Sequence, residues 1–80
     1  MDEDVQHLLR ARRYPQALEH LLNRYETKVF RLALTFLKDQ ARAEDVTQEI
    51  FLKLWQALPD YDGSAAPGTW LYSIAGYISP

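Results

Sequence analysis

Apolar residues recur at three- and four-residue steps along most of the chain, which is the period of an amphipathic helix. After Tyr14 and Pro15 this period continues for about five turns and predicts one long helix. Its apolar positions are Leu18, Leu21, Leu22, Tyr25, Val29, Leu32, Ala33 and Phe36. A shorter helix is predicted before it, over residues 4–12, with Asp2 or Asp4 as its cap. The two helices are predicted to be separate because Pro15 restricts the residue before it and suits a first helical turn. No segment has the alternating period of a strand.

A third helix is predicted from about Ala43 to Leu58, after a polar turn over residues 38–42. Glu44 and Asp45 are then expected in its first turn, where acids complement the helix dipole. Its core stripe contains Ala43, Val46, Ile50, Leu54 and Leu58. A second line lies beside that stripe and contains Asp45, Gln48, Glu49, Leu52 and Trp55. Such a mixed line is typical of a docking surface. The alternative is that Trp55 and the nearby Phe51 belong to the core and the acids form a solvated helix start.

Residues 59–68 interrupt the helical period with two prolines and two glycines, so they are predicted to form a loop. This is a long connection for a small helical bundle, and long loops are often functional. A last helix is expected from Thr69 to about Ile78, with Trp70, Leu71 and Ile74 on one side. The predicted fold is therefore all-α, a compact bundle of three to four helices with a long loop before the last helix.

Composition limits the class of protein. The 80 residues, 48% of them hydrophobic, fit a single domain over residues 1–80, and the absence of cysteine excludes disulfides and thiolate metal sites. The acidic start and the lack of an apolar run of about 20 residues favour a soluble cytoplasmic protein without a membrane span. His7 and His20 lie on different predicted helices without an evident nucleophile, and Asp60 and Asp62 are too few for a cation site. We therefore expect no enzyme activity, no metal and no cofactor.

The net charge of −2 is unevenly distributed. All nine basic residues precede Pro59, and only Asp60 and Asp62 carry charge after it. Lysine and arginine supply most of the affinity of proteins for phosphate backbones. The loop and the last helix are therefore expected to bind nucleic acid weakly by themselves.

Three segments, in this order and with these separations, carry a family resemblance. They are residues 25–33, residues 43–55 and residues 69–75. Together they resemble conserved region 2 of bacterial RNA polymerase sigma factors, specifically the extracytoplasmic-function group. The resemblance implies a transcription initiation factor domain.

The resemblance implies that the third helix docks on the clamp helices of the largest subunit of core RNA polymerase. By position, this role falls on Asp45, Gln48, Glu49, Phe51 and Trp55. The residue types suit the role, because carboxylates pair with arginines on a partner helix and aromatic side chains provide buried anchor area.

The resemblance also implies that the loop and the last helix recognise and melt the minus-ten element of promoter DNA. The loop residues that would hold a flipped base are Tyr61, Asp62, Gly63, Ser64 and Ala65, and the strand-separating helix contributes Trp70 and Tyr72. Aromatic side chains provide stacking partners for unpaired bases. The alternative for Trp70 is that it pins the last helix to the bundle, and Tyr61 has the alternative of a lid over the core.

The chain departs from the family at several positions. Ser73 stands where arginine is common, Gly76 and Tyr77 stand where Arg-Asn is common, and Lys38 stands where glycine often ends the helix. The basic extension and the second promoter-reading domain are also absent, so we expect a piece of a longer sigma factor; a naturally short protein is the alternative. A different class of function, a regulatory module that binds an anti-sigma protein or another helical partner, stays open, as does simple self-association.

Overall fold

Four α-helices make up the computed structural model, which describes residues 2–76. They are α1 (Glu3–Arg10), α2 (Tyr14–Leu37), α3 (Gln40–Ala57) and α4 (Pro67–Ile74), and a 3₁₀ turn at Leu58–Asp60 follows α3. The described range contains no strand, so the all-α prediction is confirmed. No helix within it is both long and apolar enough to cross a bilayer.

Helices α2 and α3 form a hairpin, because only Lys38 and Asp39 separate them. The hairpin buries Leu21 and Val29 of α2 against Ile50 and Leu54 of α3, all four of them fully inaccessible to solvent. Helix α1 adds Val5 and Leu9 to this core, and α4 adds Leu71 and Ala75. A single core thus connects all four helices, and the long loop runs over one end of it.

The turn between α2 and α3 is shorter than the predicted segment 38–42. Asp39 occupies the N-cap of α3, and its side chain accepts a hydrogen bond from the Arg42 amide at 3.1 Å. An Asp cap of this kind starts the helix at once. Glu44 and Asp45 consequently lie beyond the first turn of α3, which corrects the prediction that they complement its dipole there.

Three other predictions about the helices need correction. Helix α1 ends at Arg10, before the predicted residue 12, because Arg12 adopts a left-handed conformation with φ 58°. Helix α4 begins at Pro67 and not at Thr69, since proline is accommodated in a first turn. Phe36 is 46% exposed, because the core-facing line at this end of α2 runs through Ala33 and Leu37. The predicted continuation of the last helix to Ile78 falls outside the described residues.

Candidate functional site

The second line of α3 is a solvent-exposed face, as its spacing predicts. Asp45, Gln48 and Glu49 are exposed, and they lead into Leu52 and Trp55, whose exposed fractions are 57% and 41%. The exposed part of a large apolar side chain contributes no burial energy to its own fold, so two such side chains beside carboxylates form a notable patch. We call these five residues the exposed face of α3.

Phe51 lies apart from that face. It is only 6% exposed and belongs to the hydrophobic core, together with Ile50 and Leu54. Thr47, one turn earlier, is also buried and satisfies its hydroxyl by donating to the Ala43 carbonyl at 2.7 Å. Phe51 therefore supports the exposed face from below and does not project from it.

A groove of about 560 Å³ runs between α2 and α3 next to the exposed face. Helix α2 lines it with Leu22, Glu26, Thr27 and Phe30, and helix α3 lines it with Gln40, Glu44, Thr47, Gln48 and Phe51. Its floor is largely apolar, whereas two carboxylates stand at its rim. We call it the acidic groove.

A second groove of about 480 Å³ continues from Phe51 towards the end of the hairpin. Its other walls are Pro15 and Leu18 of α2 and Leu52 and Trp55 of α3, so all its lining residues are apolar. We call it the apolar groove. Because Phe51 lines both grooves, they form one depression along the hairpin, with carboxylates at one end and hydrocarbon at the other.

The α2 walls of these grooves were missed by the sequence reasoning. Leu18 and Leu22 have the period of core residues, yet both are only half-buried, and Glu26 continues their line at the next four-residue step. This line, next to the fully buried stripe, is the signal that could have identified them.

The loop before α4 has a defined structure. Asp62 accepts a hydrogen bond from the Ser64 amide at 2.9 Å, and Gly63 takes φ 81° between them, a conformation that glycine adopts without strain. The hydrogen bond from the Ser64 backbone lowers the pKa of the Asp62 carboxyl. Asp62, Gly63 and Ser64 are exposed, whereas Ala65 is half-buried, so the tip of the loop presents small and polar residues to solvent.

Tyr61 and Trp70 pack against each other at the base of this loop. Their ring centroids are 5.0 Å apart with the planes inclined at 64°, and both residues are half-buried against the core. The Tyr61 hydroxyl donates to the Ala65 carbonyl and accepts from Gln6 of α1 at 3.2 Å. In this structure both aromatic residues thus have the packing roles that the alternatives assigned to them, and their contact with DNA stays a prediction.

Tyr72 packs on the other side of α4, edge-on to Tyr25 of α2 at 6.1 Å between centroids. The Tyr25 hydroxyl donates to the Asp2 carboxylate, and burial together with this hydrogen bond raises the pKa of Tyr25 to about 12. Burial opposes the ionised form of Asp2, but the hydrogen bonds from Tyr25 and Arg24 outweigh it and lower the pKa of that carboxyl. The carboxylate is therefore ionised at neutral pH and held beside α4.

The DNA-facing candidates lack cations. From Pro59 to Gly76 the chain has no lysine or arginine, and the exposed positions of α4 include the uncharged Thr69 and Ser73. Within residues 2–76 no group of three His, Asp or Glu side chains is placed to hold a metal ion.

Comparison with known proteins identifies a matching family and several relatives. Residues 21–76 match the family model for Sigma-70 region 2. The RNA polymerase sigma-H factor of Pseudomonas aeruginosa is 40% identical over 60 residues, which cover 75% of this chain and 31% of that protein. The ECF RNA polymerase sigma factor SigK of Mycobacterium sp. (strain KMS) is 33% identical over 75 residues, which cover 90% of this chain and 39% of that protein.

A more distant relative, the ECF RNA polymerase sigma factor SigX of Bacillus subtilis, is 23% identical over 64 residues, which cover 80% of this chain and 33% of that protein. The chain thus spans between 31% and 39% of the length of these three relatives. No solved structure matches it significantly. Because the family match extends over most of the chain and includes most of α2 and all of α3 and α4, the chain belongs to the Sigma-70 region 2 family.

Proposed function

We propose that this chain is the part of a sigma-type transcription initiation factor that docks on core RNA polymerase in the cytoplasm and contributes to recognition of the promoter minus-ten element. The single observation that supports docking best is the exposure of Leu52 and Trp55 on the same helix face as Asp45 and Glu49. The sigma-factor relatives support the choice of polymerase as the partner.

The depression along the α2–α3 hairpin fits a partner helix, and the clamp helices of the largest polymerase subunit are the proposed occupant. The apolar groove, with Trp55 and Leu52 at its edge, would bury apolar side chains of that helix. Asp45 and Glu49, beside the groove, would pair with its basic residues and favour one orientation. Phe51 is only 6% exposed but lines both grooves, so it would form part of the apolar floor that the partner helix covers.

A matched pair of double variants tests the docking proposal. Asp45→Ala with Gln48→Ala removes one carboxylate and one amide from the exposed face, and Asp60→Ala with Asn23→Ala removes the same groups elsewhere on the exposed surface. We expect the first pair to weaken binding to purified core polymerase at least about tenfold and the second pair to leave it unchanged. Equal affinities of the two double variants, measured by fluorescence anisotropy, would contradict docking through α3.

The loop tip and α4 are the proposed contacts for the minus-ten element. At the exposed tip residues Gly63 and Ser64, backbone groups other than the Ser64 amide, which donates to Asp62, would bond the edge of an unpaired base. Tyr61, Trp70 and Tyr72 are half-buried, so a base would stack on the part of each ring that remains accessible. Without cations in this segment, we expect the DNA contribution to be weak unless polymerase holds the strand.

A further inference from the structure

Helix α1 and its N-cap residue Asp2 precede the residues that match the family, and yet Asp2 lies beside the first turn of α4 and Gln6 contacts the loop. We propose that α1 is a positioning element, in which Asp2 holds the start of α4 through Tyr25 and Gln6 holds the loop through Tyr61. The expected effect on DNA binding rests on the promoter role proposed above, whereas the positioning of α4 by α1 does not.

The Asp2 side chain is nearly buried, with an exposed fraction of 7%. Its carboxylate accepts a hydrogen bond from the Tyr25 hydroxyl and another from the Arg24 guanidinium at 2.8 Å. The same guanidinium donates to Asp4 at 2.8 Å, so two acids of the α1 terminus converge on one cation of α2. A carboxylate with these charge-assisted bonds is fixed in place much more firmly than a freely rotating surface acid.

Gly68, in the first turn of α4, lies directly against this pair. A Cβ atom at Gly68 would lie 2.2 Å from the Tyr25 hydroxyl oxygen and 3.0 Å from the Asp2 carboxylate. Only glycine therefore permits this close approach of backbone to side chain. Ala66 provides no side-chain cap, and the Asp2 carboxylate lies beside this first turn of α4, where a negative charge is favourable.

Gln6 makes the second connection, one helical turn further along α1. Its amide donates to the Tyr61 hydroxyl at 3.2 Å, and that hydroxyl donates in turn to the Ala65 carbonyl inside the loop. The Tyr61 ring packs on Trp70, so the chain of contacts continues into α4. Helix α1 is thus connected to α4 at two places: Asp2 lies beside Gly68 in the first turn of α4, and Gln6 contacts Tyr61 in the loop.

These contacts matter because α4 has only eight residues. An isolated helix of that length is unstable in water, so its position depends on tertiary contacts. Loosening α1 is therefore expected to disorder α4 and the loop selectively, while the α2–α3 hairpin keeps its own buried interface.

Two independent perturbations of α1 and α4 test the proposal by amide hydrogen exchange. The first is Asp2→Asn combined with Gln6→Ala, with the exposed His7→Ala on the same helix as its control. The second is Gly68→Ala, with Gly76→Ala as its control, because a Cβ at Gly76 meets nothing within 4 Å. We expect exchange of the α4 amides to accelerate about tenfold in both test variants and in neither control.

The functional measurement compares the affinity for single-stranded minus-ten DNA with the affinity for core polymerase. Both test variants should bind single-stranded minus-ten DNA more weakly, in proportion to the lost α4 protection, and should bind core polymerase as the unmodified chain does. Unchanged α4 exchange, or equal acceleration in all four helices, would overturn the inference. Failure of the unmodified chain to bind DNA would instead contradict the promoter role, and the exchange result would still decide whether α1 positions α4.

Discussion

Lys38 occupies a backbone conformation that glycine usually provides. It ends α2 with φ 55° and ψ 31°, and its amide donates to the Leu34 carbonyl at 2.8 Å. For a residue with a Cβ atom, the left-handed region costs about 1 kcal/mol. The departure from the family's glycine is therefore accommodated by strain at one residue, and the helix end keeps its geometry.

Replacing that residue should stabilise the domain. We expect Lys38→Gly to raise the free energy of unfolding by about 0.5–1 kcal/mol, because glycine adopts the left-handed conformation without a Cβ clash. Urea denaturation followed by circular dichroism measures the change. Lys28→Gly, in the interior of α2, is the matched control and should lower the free energy of unfolding by about 1 kcal/mol. Loss of stability in both variants would contradict the strain at Lys38.

The side chain of Asp2 has a different role from the helix cap that the local sequence predicts. Its place before the first helix predicts a cap, and it does occupy the N-cap position of α1, but it makes no side-chain cap hydrogen bond. With φ 60° its side chain instead reaches Tyr25, far along the sequence. A local pattern contains no information about such a partner, so the contact could not be predicted from sequence.

At the scale of elements, α3 separates stability from the proposed docking function on its two sides. Phe51 is buried at 6% exposure, whereas Trp55, one turn later, is 41% exposed. We expect Phe51→Leu to lower the free energy of unfolding by about 1–2 kcal/mol through lost core packing. Trp55→Leu should lower it by less than Phe51→Leu does, since Trp55 is partly exposed and lies outside the hydrophobic core cluster.

Polymerase binding should respond in the opposite order. Trp55→Leu is expected to weaken binding to core polymerase more than Phe51→Leu does, when both folded variants are measured by anisotropy below their unfolding temperatures. A stability loss at Trp55 as large as that at Phe51 would mean that the tryptophan is an internal anchor. Weaker polymerase binding by the Phe51 variant than by the Trp55 variant would show that the aromatic floor reaches the partner.

The existence of each helix could be predicted from period alone, because the buried stripe of α3 repeats at three- and four-residue steps through Ile50, Leu54 and Leu58. The exposed face followed from the same geometry. The burial of Phe51 could not be predicted, because an aromatic residue between the core stripe and the exposed face is compatible with either environment. The line of Leu18, Leu22 and Glu26 was a usable signal for the α2 walls of the grooves, but how closely that line approaches α3 depends on helix packing, which the period does not contain.

At the scale of the molecule, contacts from the chain's first residues to its last helix complete the fold. Asp2 and Gln6 of α1 meet Gly68 and Tyr61 near the other end of the described range. Charge on these elements is local and paired, as in the contact of Arg24 with Asp4, which lowers the pKa of that carboxyl to about 2. Arg24 is therefore engaged by the two acids at the start of α1 and is not an unpaired cation beside α4.

This charge distribution predicts weak DNA binding that one added cation can improve. The unmodified chain should bind single-stranded minus-ten DNA at physiological salt with a Kd of about 10⁻⁴–10⁻⁶ M, the range of nonspecific electrostatic binding. Ser73→Arg adds a cation to the exposed side of α4, where a phosphate contact would raise the affinity several-fold and steepen its salt dependence. Thr35→Arg adds the same charge on α2 and should change affinity little. Submicromolar, sequence-selective binding by the unmodified chain in anisotropy titrations would mean that the loop and aromatic residues read DNA without cations. Equal gains in affinity in the Ser73→Arg and Thr35→Arg variants would mean that net charge alone decides the affinity.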